Sequence, residues 1–253
     1  MWPWKAILIT GGSSGLGQAM ALELAAPGIF LAITGRDKAR LDAVADACKM
    51  KGAAVGAFQI DAANFTAMAG LIAEIEAEMP LDLVIANAGV SAGTGGGDET
   101  DEQIAEILAA NVDGVIATVR PALAAMGPRK SGQIAIMSSL ASFRGFGGAP
   151  TYCASKAFVR VWGEALRADW RPRGLKINVI CPGFVRSRMT AKNNFKMPFL
   201  MDADRAARIM LRGLAADKPR IAYPWPTYWA TRLIAGLPQF LTDMLMARMP
   251  KKG

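Results

Sequence analysis

The chain of 253 residues is 52% hydrophobic and 20% charged, a composition that builds a packed core and excludes intrinsic disorder as its main state. It has no histidine, which removes Ser-His-Asp and Cys-His nucleophilic sites, histidine-ligated zinc and imidazole as a general base, so acid–base chemistry must use Tyr, Lys, Asp, Glu or Cys. The net charge of +8 is uneven, with 9 basic and 15 acidic residues in 1–143 against 20 basic and 6 acidic in 144–253, and such asymmetry suits an anionic substrate or membrane surface.

Lys5–Thr10 is a short apolar run ending in a glycine cluster, and Gln18–Ala26 follows with Met20, Leu22 and Leu24 at helical spacing: strand, turn, helix. Ile29–Thr34 reads as the second strand, Arg40–Cys48 as a helix, and Ala54–Ile60 as a third strand ending at Asp61. A helix over Thr66–Met79, a buried strand over Leu81–Ala86, a helix over Asp101–Met126 and a strand over Gln133–Ser138 continue the alternation, which closes with helix Tyr152–Trp170 and strand Lys176–Cys181. This order predicts an α/β fold: a doubly wound, Rossmann-type parallel sheet in three α/β/α layers. Residues 1–224 are read as one dinucleotide-binding and catalytic domain, and 225–253 as a short amphipathic helical C-terminal extension. Gly93–Gly97 is read as a flexible connection, since no Walker pattern follows it.

Residues 1–5 lack the basic, apolar and cleavage regions of a signal peptide, and Arg232 and Asp243 interrupt the apolar stretches near the C-terminus, so no transmembrane segment is expected. Cys48, Cys153 and Cys181 are too scattered to suggest disulfides or a metal site, and a cytoplasmic location is expected. Nucleic acid is not an expected partner, because the basic residues are dispersed and no zinc-finger or RNP-type motif accompanies them.

Between the first strand and helix, Gly11 permits a sharp turn, while Gly15 and Gly17 let backbone approach a pyrophosphate at a helix N-terminus; Ser13, Ser14 and Leu16 complete that cradle. The second strand ends at Thr34-Gly35-Arg36-Asp37, where a dinucleotide site reads the adenosine ribose. Arg36 suits the 2′-phosphate of NADP, which is preferred, and Asp37 facing the ribose of NAD is the alternative. Tyr152 and Lys156 lie one turn apart on a predicted helix, where an ammonium stabilises a phenolate, and Ser139, just past an apolar strand, can polarise a carbonyl.

These motifs, together with Asn87-Ala88-Gly89, Asn111 and Pro182-Gly183 and in that order from about Lys5 to Pro224, resemble the short-chain dehydrogenase/reductase family in its single-domain form. The resemblance implies that Tyr152 is the proton donor or acceptor, that Lys156 binds the nicotinamide ribose and depresses the tyrosine pKa, that Ser139 orients the carbonyl, and that Asn111 holds a water of the proton relay. It also implies that Asp61 approaches the adenine, that Asn87 and Gly89 line the adenosine side, that Ser187 meets the nicotinamide carboxamide, and that Pro182, Gly183 and Val185 bind the cofactor as well. Ala86-Asn87 stands where two asparagines are common, and Ser187 where threonine is; both keep the hydrogen-bonding chemistry. The family often assembles as dimers or tetramers, so a homodimer or homotetramer is expected through Asp101–Met126 and Tyr152–Trp170, with Ile104, Ile107, Leu108, Val161, Trp162 and Leu166 as candidate contacts.

After Pro182-Gly183, Met189, Phe195, Met197, Phe199, Leu200 and Met201 alternate with Arg186, Arg188, Lys192 and Lys196. They read either as an adaptable apolar wall for a medium-to-large lipophilic substrate with an anionic group or as packing of a lid. In the extension, Thr227–Gly236 and Gln239–Met249 read as helices, Phe240, Leu241, Met244 and Leu245 share a face, and Trp225, Tyr228, Trp229, Arg232, Arg248, Lys251 and Lys252 supply rings and charge. Peripheral membrane contact and packing against the lid or another subunit are both open. The expected function is an NADP(H)-preferring carbonyl/secondary-alcohol oxidoreductase, NAD(H) being possible. The rivals are a 3-oxoacyl-thioester reductase, with Arg129, Lys130, Arg171 and Arg173 meeting an acidic carrier protein, and a dinucleotide sensor without turnover.

Overall fold

The computed structural model describes residues 2–91, 98–191 and 197–246, with side chains to residue 242. Seven parallel strands form its sheet: β1 (Ala6–Ile9), β2 (Phe30–Thr34), β3 (Ala54–Phe58), β4 (Leu83–Ala86), β5 (Gln133–Met137), β6 (Lys176–Pro182) and β7 (Arg220–Tyr223), in the order β3-β2-β1-β4-β5-β6-β7. Ile9 pairs with Ile33 on one side and Ile85 on the other. The short strands β1, β4 and β5 are buried throughout, as strands covered on both faces must be.

Alternate strand residues supply two cores. Ile7, Ile9, Ile33 and Ile85 pack with helices α1 (Gly15–Leu24) and α2 (Lys38–Met50), and the same core takes in Met210 and Leu214 of a later helix, Ala203–Ala215. Leu8, Val84, Ile134 and Ile136 pack instead with α3 (Phe65–Glu78) and with the helical run that begins at Asp101. That run comprises α4 (Asp101–Leu108), a π-helical turn (Ala109–Asp113) and α5 (Gly114–Arg129), and α6 (Pro150–Trp170) lies beside it. The chain then adds a short α7 (Arg188–Ala191), α8 (Ala203–Ala215), α9 (Trp225–Ala235) and α10 (Gln239–Met246).

The elements expected from Lys5 to Cys181 are present with their ends shifted by a few residues. The single helix expected over Asp101–Met126 instead holds the π turn, which widens the helix around Asn111. The run Asp101–Arg129 is long and apolar enough to cross a membrane by length and hydropathy, but Val115, Val119, Ala122 and Met126 are spent on the second core. Ile107 is likewise buried, Trp162 and Leu166 pack against that core, and Leu108 and Val161 are exposed. All three cysteines are buried free thiols, and burial pushes the Cys181 thiol up to about 11.

A polar ladder fastens one end of the sheet. Trp4 Nε1 donates to Gln133 Oε1 (2.9 Å), Gln133 Nε2 to Asn178 Oδ1 (2.7 Å), and Asn178 Nδ2 to Asp217 Oδ1 (3.0 Å), which Arg167 also holds (2.7 Å). These buried groups have partners at each step, which is what makes their burial tolerable. The carboxyl ends of the strands are at the opposite end, and the reversal of strand order between β1 and β4 opens a crevice there.

Candidate active site

A cleft of about 1040 Å³ occupies that crevice. Gly11 (φ +66) and Gly15 (φ +57) adopt left-handed backbone, and a Cβ on Gly17 would stand 2.2 Å from the Gly11 carbonyl oxygen. The loop is tied to β4 by the Thr10 hydroxyl, which accepts from the Asn87 and Ala88 N–H groups (3.1 and 3.2 Å). Asn87 Nδ2 ties it again by donating to the Thr10 and Gly11 carbonyls (2.9 and 3.2 Å). The Ser14 N-cap of α1 makes no side-chain capping bond, which leaves the first helical N–H groups for an anion. Gly11, Ser13, Ser14, Gly15 and Leu16 line the cleft; Gly17 does not, and its part is the close packing under the loop. This cradle fits a dinucleotide pyrophosphate.

Arg36 and Asp61 line the adenosine end. Arg36 makes a 3.6 Å ion pair with Glu106 between exposed side chains, a contact worth little in water. Asp37 caps α2, accepting from the Arg40 N–H (3.0 Å) and pairing with Arg40 Nη2 (2.9 Å). Arg40, which the sequence reading did not single out, also lines the cleft, and its buried Nε has no partner among the described residues. A Cβ on Gly35 would stand 2.8 Å from Ser13 Oγ, so only glycine lets the two loops meet.

At the other end Ser139, Tyr152 and Lys156 share the floor of the same cleft. A side-chain hydrogen bond joins the Ser139 hydroxyl and the Tyr152 phenol. Burial raises the Tyr152 pKa, and that hydrogen bond opposes the rise. Lys156 Nζ lies 6.0 Å from the Tyr152 ring centre and donates to the Met137 carbonyl (3.1 Å). Burial lowers its pKa to about 8. Ser138 and Ser139 both line the cleft, but the Ser138 hydroxyl is spent on the Lys156 carbonyl (2.7 Å), and it is the serine thirteen residues before Tyr152 that bonds to the phenol.

Asn111 lies behind the cleft, fully buried. Its Oδ1 accepts from Val90 N–H (2.8 Å), and its Nδ2 donates to the Val90 carbonyl and to Ser155 Oγ (both 3.0 Å). Ser155 in turn donates to the Tyr152 carbonyl (2.8 Å). Both amide protons are thus committed to protein, and the side chain holds the loop after β4 against the catalytic helix. A Cβ on Gly89 would stand 2.8 Å from Asn111 Oδ1 and 3.2 Å from Lys156 Nζ. Pro182, Gly183, Val185 and Ser187 line the wall between the two ends, with Ser187 over Gly15.

The substrate side is assembled differently from the sequence expectation. Met189 and Arg188 do line the cleft, but Met201 packs on the core, Phe199 is exposed, and Arg186 pairs with Asp202 (2.9 Å). Lys192, Phe195 and Lys196 lie outside the described residues, as do Gly93–Gly97, Arg248, Lys251 and Lys252, and the side chains of Met244 and Leu245 are not described. The apolar wall comes instead from Leu140, Phe146 and Phe184 and from α9, through Thr227, Ala230, Thr231 and Ile234.

The extension also grips the turn after Ser139. The Phe143 ring meets Tyr228 edge-on (5.6 Å) and is surrounded by the guanidinium carbons of Arg160, Arg220 and Arg232 at 4.7, 5.3 and 5.6 Å. Arg144 Nη2 donates to Thr242 Oγ1 (2.5 Å) and Gln239 Oε1 (3.1 Å). Arg129, Lys130, Arg171 and Arg173, the expected landing surface for a carrier protein, stand before β5 and β6, at the end of the sheet opposite the cleft. Arg129 donates there to the Leu81 carbonyl (2.6 Å), and Arg173 covers Trp170.

A glycine cradle at a switch point, joined in one cleft to a serine-bonded tyrosine and a buried lysine, belongs to a dinucleotide-dependent oxidoreductase. The family model for short chain dehydrogenase matches residues 5–197, and the chain belongs to that family. An uncharacterized oxidoreductase of Myxococcus xanthus is 38% identical over 247 residues, 97% of this chain and 98% of its own. Among solved structures, a short-chain dehydrogenase from Sphingobium yanoikuyae in complex with NADPH superposes with TM-score 0.81 at 24% identity, covering 97% of this chain and 96% of that one. The bulky-bulky ketone specific alcohol dehydrogenase from Comamonas testosteroni gives 0.78 at 22% identity over 93% and 95% of the two chains. A short chain dehydrogenase from Mycobacterium paratuberculosis bound to NAD gives 0.78 at 21% over 89% and 98%.

The buried ammonium has a thermodynamic signature. Lys156 titrates at about 8 in the folded protein and at about 10.4 in an unfolded chain, so between those values the unfolded state binds the extra proton and stability rises with pH. Below about pH 8 the charged, buried lysine carries its full cost. Replacing Lys156 with Met is expected to raise stability at pH 7 by about 1–3 kcal/mol while removing turnover. Urea midpoints at pH 7 and pH 10 check this: the gain should shrink at the higher pH, and a lower midpoint at pH 7 would show that the ammonium stabilises the fold.

Proposed function

We propose that the protein is an NADP(H)-preferring oxidoreductase that interconverts a ketone and a secondary alcohol on a medium-to-large lipophilic substrate, with Tyr152 as the acid/base. The observation that carries the reading is the single cleft in which Ser139 and Tyr152 are hydrogen-bonded while the glycine cradle and an apolar wall flank them. When bound, the dinucleotide supplies or accepts the hydride at the substrate carbon. Ser139 orients the carbonyl, and Tyr152, protonated at neutral pH as any phenol is and more so for its burial, delivers the proton to the oxygen. The Lys156 ammonium offsets the charge of the phenolate that remains. Asn111 keeps this geometry by bracing Ser155 and the loop at Val90. Leu140, Phe146, Phe184 and Ile234 suit a bulky apolar substrate, the Comamonas relative being specific for bulky-bulky ketones, and Arg188 suits an anionic group at its edge.

The NADP preference is supported by two guanidiniums, Arg36 and Arg40, at the ribose end and by the commitment of Asp37 to the helix cap. One structural relative holds NADPH and another NAD, so the preference rests on this chain's own residues. The exposed Leu108, Phe158 and Val161 on the adjoining helices α4 and α6 suit a second copy of the chain, and we take the enzyme to be at least a homodimer. The three buried thiols suit the cytoplasm.

Tyr152→Phe is expected to abolish carbonyl reduction while leaving dinucleotide binding within about threefold, because the ring stays and the proton donor goes. Followed by NADPH absorbance across a ketone panel, appreciable residual turnover would remove Tyr152 from its role. Arg36→Ala and Arg40→Ala should each weaken NADPH binding by one to two decades, about 1.5–3 kcal/mol, and spare NADH. Fluorescence titration reads this directly, and equal losses for both dinucleotides would show that neither arginine reads the phosphate. Phe158→Glu with Val161→Glu should convert the oligomer to monomer in sedimentation velocity; an unchanged oligomer would move the subunit contact elsewhere.

A further inference from the structure

α9 has two working sides. Thr227, Thr231 and Ile234 face the cleft, whereas Trp225, Trp229 and Leu233, recurring every four residues, stand 73, 57 and 71% exposed on the opposite side. Leu237 and Phe240, 38 and 71% exposed, continue the stripe onto α10. A contiguous apolar strip with two tryptophans is more than a protein surface usually leaves in water. The segment that bears it is cationic in sequence: residues 225–253 carry Arg232, Arg248, Lys251 and Lys252 against Asp243 alone, within the part of the chain that holds 20 basic and 6 acidic residues.

We infer that the outer side of α9 and α10 docks on an anionic lipid surface. Tryptophan rings and a shallow apolar stripe on a net-cationic segment of chain fit the headgroup region, where basic residues meet anionic lipid and the stripe reaches the acyl boundary. A second copy of the chain fits less well, since a symmetric contact would bring two like-charged basic segments together. The same helix walls the substrate cleft on its other side, so docking holds the cleft one helix away from the bilayer, a reservoir of lipophilic substrate. This last step rests on the lipophilic substrate reading proposed above; the docking itself does not.

Co-sedimentation of the full chain with equimolar phosphatidylglycerol/phosphatidylcholine vesicles, without substrate or dinucleotide, tests the docking. Binding is expected to these vesicles, to weaken at high salt, and to be at least about tenfold weaker for phosphatidylcholine alone. The variant Trp229→Ser/Leu233→Ser/Phe240→Ser should lose about a hundredfold or more in partitioning while reducing a water-soluble ketone at unchanged kcat/KM. In the unaltered protein, lipids brominated in the acyl chain should quench tryptophan emission, a readout that needs no variant. Failure of the intact chain to bind anionic vesicles, undiminished binding by the variant, or conversion of the oligomer to monomer by the variant would overturn the inference. Vesicle binding without activity on any lipophilic ketone would leave the docking standing and defeat the substrate reading alone.

Discussion

The site depends on how closely two loops approach each other beneath the first helix. A methyl group on Gly17 would collide with the Gly11 carbonyl, one on Gly11 would stand 2.9 Å from Ala88 Cα, and Asn87 stitches the Thr10 and Gly11 carbonyls to the end of β4. This contact brings β1 and β4 together at the point where the sheet reverses order, and everything downstream inherits its position. The loop after β4 runs from it through Gly89 to Val90, where Asn111 takes hold, and Asn111 passes the constraint through Ser155 to the backbone of Tyr152. The glycine cradle and the end that holds Ser139, Tyr152 and Lys156 are therefore parts of one hydrogen-bonded framework.

That framework accepts an energetic penalty where the chemistry is. A lysine ammonium and a phenol are taken out of water side by side, and each has its titration displaced toward the neutral form. The polar ladder from Trp4 to Arg167 shows the other way to bury polar groups, with a partner at each step and no demand for turnover. The contrast separates residues kept for packing from residues kept for reaction.

Much of this was legible in the sequence where one local pattern decides the outcome. Alternating apolar runs dictated β1 through β6, the glycine spacing located the cradle, and the intervals among Ser139, Tyr152 and Lys156 placed three side chains in one cleft. The parts that escaped depend on long-range geometry. A π turn leaves no mark in composition, yet it sets the position of Asn111. Arg40 looks like any surface helix residue until Asp37 and the cleft are seen around it. α8 carried a readable signal, Ala206, Met210 and Leu214 at helical spacing, but β7 is four residues long and gains its identity only from pairing with β6. The basic residues expected to greet a carrier protein were near one another in sequence, and the sheet put them at its far end.

The arginine collar around Phe143 has a consequence for anyone recombining members of the family. The tail from Trp225 onward looks like an appendage in the linear sequence, a piece to be exchanged for a relative's in order to change what the enzyme accepts. Its grip, however, is shared among residues from three distant parts of the chain: Phe143 and Arg144, Arg160, and Arg220. A relative's tail would arrive without the Tyr228 ring, the Arg232 guanidinium and the Thr242 hydroxyl that meet these residues, directly after Ser139 in the fold. The exchangeable module in a chimaera is thus discontinuous, and crossover points chosen by sequence alignment alone would cut through it.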